Sequence, residues 1–225
     1  MSGGAPRRPA AVVFDNDGLL LDTEDAWTRA EVVLFERHGG TFTTDHKRDL
    51  IGSSHSVAAG KLEAMLGRPG EGLRLMAELH ELVMEEALHD VAPRPGAVAL
   101  VDALRAAGIP IAVASNSPRD FLDRVLRTAG VGERFEVTVA GDEVAHPKPE
   151  PDVYLAACAR LGAEPPASVG LEDSPTGAQA AKAAGLRVIG VPYLPDMPIP
   201  QADLVTASLA DAVVHEACGL VPSER

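Results

Sequence analysis

Ala11-Val12-Val13-Phe14-Asp15-Asn16-Asp17-Gly18 is an apolar run closed by two aspartates at i and i+2 and a glycine. The run is too short for a helix and suits a strand buried on both faces of a parallel sheet. Carboxylates at the carboxyl end of such a strand sit where open α/β sheets bind ligands. Side chains alternate along extended backbone, so Asp15 and Asp17 are expected on one side, with Asn16 away from it. Two carboxylates this close repel each other unless a divalent cation or a shared proton lies between them. The plainer reading is an acidic turn that ends a strand and caps a helix. An EF-hand loop does not fit, because its glycine position would hold Leu20 and its closing glutamate position Ala26.

After this strand, Leu19-Leu20-Leu21 leads into the acidic cluster Asp22-Thr23-Glu24-Asp25, which reads as a helix N-terminus with Thr23 as its cap. Trp27, Ala30, Val33 and Leu34 recur at helical spacing up to the stop His38-Gly39-Gly40. Further helices are expected over residues 44–51, 54–66 and 72–90, the last with Leu73, Met76, Leu79, Val83 and Ala87 as its apolar stripe. No strand signal falls between residues 24 and 90. A run of helices directly after a β-strand is not a βαβ unit. It reads as an inserted helical domain, residues 23–92, that returns to the core near Ala92-Pro93-Arg94-Pro95-Gly96. The core is then residues 10–22 and 93–225.

From Gly96 the pattern alternates. Strands are expected over residues 109–114, 137–140, 169–171 and 188–191, with 202–205 as an edge strand. Helices are expected over 97–107, 118–129 with Pro118 in the first turn, 153–161 capped by Asp152, 177–184 and 209–217. This alternation means an α/β fold with a doubly wound parallel sheet.

The chain of 225 residues, 46% of them apolar, is enough for a packed core plus a smaller inserted domain. A net charge of −13 argues against nucleic-acid and anionic-membrane partners, so an anionic substrate must be drawn by local positive charge. No apolar run is long enough to span a membrane. Residues 1–9 carry two arginines without a signal-type apolar segment and read as a disordered start. Cys158 and Cys218 lie in apolar helical patterns and read as buried thiols of a reducing cytoplasm, with a single disulfide as the alternative. A cytoplasmic monomer is the expectation.

Each strand of the alternation delivers polar residues from its carboxyl end. Asp15 and Asp17 follow the first, Ser115 and Asn116 the second, Lys148 the third, Glu172 and Asp173 the fourth. In a parallel sheet these ends meet in one crevice. Carboxylate oxygens suit Mg2+, whose shell is commonly completed by water and substrate phosphate. A hydroxyl, an amide and the N–H groups of a following helix can hold phosphoryl oxygens, and Lys148 supplies a point charge. Taken singly, each cluster reads as a cap, a turn or a solvated charge; four in order, each at a strand end, do not.

Phe14-Asp15-Asn16-Asp17-Gly18-Leu19-Leu20, Ala114-Ser115-Asn116-Ser117, Pro147-Lys148-Pro149-Glu150-Pro151-Asp152 and Gly170-Leu171-Glu172-Asp173-Ser174-Pro175-Thr176-Gly177 resemble the four motifs of the haloacid dehalogenase superfamily. They are similar in particular to its β-phosphoglucomutase-like phosphatases with a helical cap. The resemblance implies a Rossmann-like core, a mobile cap inserted after the first motif, and Mg2+-dependent transfer of phosphate from a small phosphorylated substrate of the sugar-phosphate or phosphoglycolate kind. It implies that Asp15 is a nucleophile forming an aspartyl-phosphate. Asp17 is implied as general acid and then base, with its backbone carbonyl on the metal. Ser115, Asn116 and Lys148 are implied around the phosphoryl group. Asp15, Asp17, Glu172 and Asp173 are implied around Mg2+, Glu172 directly or through water. Thr23, Trp27 and His55, with Lys61 beside them, are candidates to face the substrate.

The chain departs from mutases of this group, which carry a histidine and a phosphate-clamping arginine where it has Trp27 and His55. Tryptophan transfers no proton and neutral histidine clamps phosphate weakly. Hydrolysis is therefore expected, with mutase-type phosphotransfer as the alternative. Asp17 argues against dehalogenation, which needs no acid. Phosphonate hydrolysis would need a desolvated cap lysine, and nothing in the sequence marks Lys47 or Lys61 as one. A phospho-accepting receiver module is the alternative from another class. It would put its acidic pair and its phosphoryl acceptor on different strands and would lack the helical insertion.

Overall fold

The computed structural model describes residues 8–87 and 91–220. Residues 1–7 of the expected disordered start, and residues 88–90 of the expected fourth helix, lie outside the described residues.

The strands are β1 Val12–Phe14, β2 Ile111–Ala114, β3 Val137–Val139, β4 Val169–Glu172, β5 Arg187–Gly190 and β6 Leu204–Val205. They form one sheet in the order β3-β2-β1-β4-β5-β6, and every pairing is parallel. The order reverses at β1, the topological switch point where open α/β sheets place their ligand crevice. Phe14 pairs with Val113 on one side and Leu171 on the other, so the ends of β1, β2 and β4 are in register. Alternation divides β1 between two cores. Val12 and Phe14 pack on one face with Phe121 and Leu122, and Val13 packs on the other with Tyr154 and Ala178.

Between β1 and the next core helix run α1 Glu24–Arg37, α2 Thr44–Leu50, α3 His55–Leu66 and α4 Gly72–Glu86. Then come α5 Ala97–Ala106, α6 Arg119–Thr128, α7 Asp152–Leu161, α8 Pro175–Ala183 and α9 Ala212–Ala217. The helical segment leaves and rejoins the sheet region through two adjacent chain stretches. Asp22 N donates to Ala92 O (2.8 Å) and Arg94 N donates to Leu20 O (3.0 Å).

Several local expectations are corrected. Leu73 is 77% exposed, and the buried face of α4 runs through Leu75, Met76, Leu79, Leu82 and Val83, since a period of about 3.6 carries position 75 rather than 73 onto that face. Pro118 precedes α6 in extended backbone instead of opening its first turn. Asp152 does not cap α7; its carboxylate accepts from the His146 N–H (3.2 Å). Thr23 gives α1 no side-chain cap, because its hydroxyl is used elsewhere. The last helix starts at Ala212 rather than residue 209. Short 3-10 turns at Gly132–Arg134, Gly141–Glu143 and Pro165–Ala167 carry no strong sequence signal. Cys158 and Cys218 are buried free thiols, so the disulfide alternative falls. No helix among the described residues is long and apolar enough to cross a membrane.

Candidate active site

The site is built at the carboxyl ends of β1, β2 and β4 and on the loop after β3. Asp15 leaves β1 with its N–H on Leu171 O (2.9 Å), and the chain then turns at Gly18, whose φ of +83° favours glycine. A Cβ at Gly18 would lie 2.2 Å from Asp173 Oδ2, so the turn also needs a residue without a side chain.

Asp15 and Asp17 line the same cavity but have different partners. Asp15 Oδ1 accepts from Lys148 Nζ (2.5 Å). Asp17 Oδ1 accepts from the Thr23 hydroxyl (2.7 Å), and its Oδ2 accepts from Ser115 (3.0 Å) and Ser117 (2.8 Å). Asn116 holds the backbone of Lys148 on both sides: its Oδ1 accepts from Lys148 N (2.8 Å) and its Nδ2 donates to Lys148 O (3.2 Å). The same Nδ2 donates to Gly52 O (3.2 Å), which ties the carboxyl end of β2 to the helical segment.

Lys148 is buried and bridges two carboxylates, reaching Glu172 Oε1 at 2.6 Å as well as Asp15. Burial alone would lower its pKa, but Asp15 and then Glu172 outweigh it and the net shift is upward, so the ammonium persists. Glu172 Oε1 also accepts from the Tyr154 hydroxyl (2.5 Å), and Oε2 accepts from Ser174 (3.3 Å). Ser174 caps α8 by accepting from Gly177 N (3.1 Å). A Cβ at Gly177 would fall 1.9 Å from Glu172 Oε1, so only glycine admits the glutamate there.

Asp15, Glu172 and Asp173 offer carboxylate oxygens within 4.8 Å of one another. One lysine does not balance three buried carboxylates. Burial, then Glu172, pushes Asp15 well above the usual carboxylate range despite Lys148. Burial, then Asp15 and Glu172, does the same to Asp173. Asp173 Oδ2 is buried without a hydrogen-bond partner among the described residues. An orphaned carboxylate oxygen, packed against a glycine cradle and beside two more carboxylates, is the donor set of a hard cation and fits Mg2+. The Asp17 carboxylate lies outside this cluster.

The cavity runs from Asp15, Asp17, Lys148 and Asp173 to the helical segment. Asn116 and Ser117 line it, whereas Ser115 and Glu172 stand behind this front row. Among the substrate-facing candidates, Trp27 and His55 line the cavity and Thr23 does not. Trp27 packs on Phe121 of α6 (centroids 5.2 Å apart), and His55 is half-buried with its ring 6.0 Å from that of His80. Lys61 is not in the cavity wall; it is held by Asp49 O and Ser53 Oγ. Lys47, unmarked in the sequence, proves buried and lines the cavity with Glu24 and Glu31. Its two glutamates outweigh burial and raise its pKa, so it is an ammonium and not a Schiff-base amine.

Sequence reasoning missed Ser117, Tyr154 and the Glu24–Lys47–Glu31 cluster. One signal was present: Glu24 and Glu31 share the spacing of Trp27 and Leu34 and so fall on the inward side of α1.

A family model described as haloacid dehalogenase-like hydrolase matches residues 9–185. Protein CbbY of Rhodobacter capsulatus is 34% identical over 193 residues, covering 81% of this chain and 85% of that protein. Hexitol phosphatase B of Escherichia coli is 31% identical over 222 residues, covering 95% and 99%. The crystal structure of CbbY from Rhodobacter sphaeroides in complex with phosphate superposes with a TM-score of 0.79 at 30% identity, covering 90% of this chain and 96% of that one.

Proposed function

The chain belongs to the haloacid dehalogenase-like hydrolases and is a phosphoric monoester hydrolase, and on that premise we propose that it cleaves a small phosphorylated sugar or related metabolite through an aspartyl-phosphate on Asp15. The observation that carries this reading is the division of labour between two neighbouring aspartates. Asp15 is held by an ammonium at the cavity floor, and Asp17 is held, among the described residues, by the hydroxyls of Thr23, Ser115 and Ser117.

In this reading an Asp15 oxygen bonds to phosphorus as the ester P–O bond breaks. Asp17 gives its proton to the leaving oxygen. It then takes a proton from the water that attacks phosphorus and frees Asp15. Hydroxyl hydrogens rotate, so Thr23, Ser115 and Ser117 can accept from a protonated Asp17 or donate to an ionised one. Lys148 holds positive charge beside the transferring group, and Ser115, with Ser117 next to it on Asp17, is proposed to offer its hydroxyl to phosphoryl oxygens; Asn116, whose side-chain amide is committed to Lys148 and Gly52, would offer its backbone N–H. Asp15, Glu172 and Asp173 would hold Mg2+, joined by the Asp17 backbone carbonyl that the family resemblance implies. When bound, the ion offsets negative charge on the phosphoryl oxygens.

Residues 23–92 are proposed to act as a cap that closes over this floor, hinged at the paired stretches around Leu20–Asp22 and Ala92–Arg94. Fluorescence of Trp27, the only tryptophan, then changes when a phosphate mimic and Mg2+ bind. Identical emission and scattering profiles with and without them would rule the motion out.

Turnover of p-nitrophenyl phosphate tests the chemistry. It is expected to require Mg2+ and to vanish in a folded Asp15→Asn variant. Undiminished turnover in excess chelator, or in that variant, would overturn the proposal.

A further inference from the structure

The wall that the helical segment gives the cavity is not an anion site. Apart from Lys148 at the floor, Lys47 is the one lysine or arginine among the described residues that line the cavity. Its ammonium is fully committed. It lies 2.6 Å from Glu24 Oε2, 3.2 Å from Glu31 Oε2 and 3.3 Å from the backbone oxygen of Glu24. An ammonium carries three N–H donors, so none is left for a ligand. Two carboxylates around one ammonium leave this cluster with surplus negative charge, and with acceptor lone pairs as the polar groups it offers. His55, also in this wall, is lowered below the usual histidine range by burial and then by His80, so it is uncharged near neutral pH. The rest of the wall is mainly apolar: Trp27, Leu50, Ile51, Ala58, Met76 and Leu79.

An anionic group brought against this wall would lose its water, meet like charge and find no free cation. A hydroxyl or an ammonium would find carboxylate acceptors, and the carbon skeleton that bears it would find Trp27 and the aliphatic side chains. We infer that the substrate is a monophosphate whose leaving group carries hydrogen-bond donors and no negative charge, a polyol or an amino alcohol, and that Glu31 sets this selection. The inference rests on the phosphatase reading and narrows it: phosphoglycolate and bisphosphates fall outside. Glu31 is singled out because Lys47 paired with Glu24 alone would be neutral. Burial, partly offset by Lys47, pushes Glu31 up to about 7, so the surplus charge is fully developed on the alkaline side of neutrality.

The test compares kcat/KM at pH 8 with Mg2+ for glycerol 1-phosphate, phosphoethanolamine and phosphoglycolate, with p-nitrophenyl phosphate as the control. The neutral and cationic alkyl esters are expected to exceed phosphoglycolate by about tenfold or more, as like charge at a desolvated wall requires. Glu31→Gln is expected to narrow that gap by raising the phosphoglycolate rate. If p-nitrophenyl phosphate is cleaved and phosphoglycolate is handled as well as glycerol 1-phosphate, this inference is overturned and the phosphatase reading stands. If no ester is cleaved, p-nitrophenyl phosphate included, both are overturned.

Discussion

Thr23 donates its hydroxyl to Asp17 across 2.7 Å. Thr23 is fully buried and immediately precedes α1, so the entry to the helical segment is tied to one of the two aspartates of the floor. Position of the segment and orientation of Asp17 are thereby linked. Thr23→Val keeps the shape and removes the donor. Hydrogen bonds to charged groups contribute about 1.5–3 kcal/mol, so single-turnover cleavage of an alkyl phosphate should slow roughly ten- to hundredfold. Release of p-nitrophenol, whose phenolate leaves without an acid, should slow much less. Equal losses for the two leaving groups would mean that Thr23 supports the floor generally and not the acid.

Tyr154 reaches from α7 to Glu172 behind the floor, and both are completely buried. Burial, then Glu172, pushes the tyrosine far above its ordinary range, so it remains a donor. Tyr154→Phe leaves Glu172 Oε1 with Lys148 as its remaining donor. The cost should be about 1–3 kcal/mol of stability, seen as a lower urea midpoint at unchanged slope. An unshifted midpoint would show that this bond is not needed to hold the glutamate.

The strand ends were legible because they are local. An apolar run, a polar cluster and a helix-capping residue fall within a few positions, as in Val169 to Ser174, and parallel pairing does the rest. Other parts depend on how distant elements pack. Tyr154 looks like any aromatic on a core helix until α7 lies against β4. Of the two hydroxyls in Ser115-Asn116-Ser117 the resemblance names Ser115 alone, and Ser117 joins it only because the fold brings both onto Asp17 Oδ2. The inward spacing of Glu24 and Glu31 could be read from α1 alone. Their partner could not, because Lys47 meets them only where α2 folds back. Leu73 is a different case, because its pattern is local: it falls three residues before Met76, but the period of about 3.6 that joins Met76, Leu79, Leu82 and Val83 carries Leu75 onto the buried face instead.

Glu31 should leave its mark on stability as a function of pH. The folded chain holds its proton up to about 7, against about 4.5 for an ordinary glutamate, because burial outweighs the pull of Lys47. The folded state then binds more protons between these values. Its contribution is fully present below about 4.5 and is lost as pH rises through about 7. Lys47 faces it throughout as an ammonium, and Glu24 from the same helix. Glu31→Gln should therefore gain on the parent chain as pH rises across this window, by on the order of 3 kcal/mol from a shift of this size. Chemical unfolding of both at several pH values measures the difference. Parallel curves would place Glu31 in a solvated setting.

In the proposed reaction Asp15 itself takes the phosphoryl group. An Asp17→Asn chain should still be phosphorylated by p-nitrophenyl phosphate in Mg2+ but should hydrolyse slowly, since general base catalysis contributes about a hundred- to ten-thousandfold. Acid quenching followed by intact-mass and peptide analysis reads the outcome. One added phosphoryl group is expected, on the peptide containing Asp15, and none when Asp15→Asn is combined with Asp17→Asn. Phosphate released in a single turnover from a chain that never gains mass, or a phosphoryl group on any other residue, would contradict it.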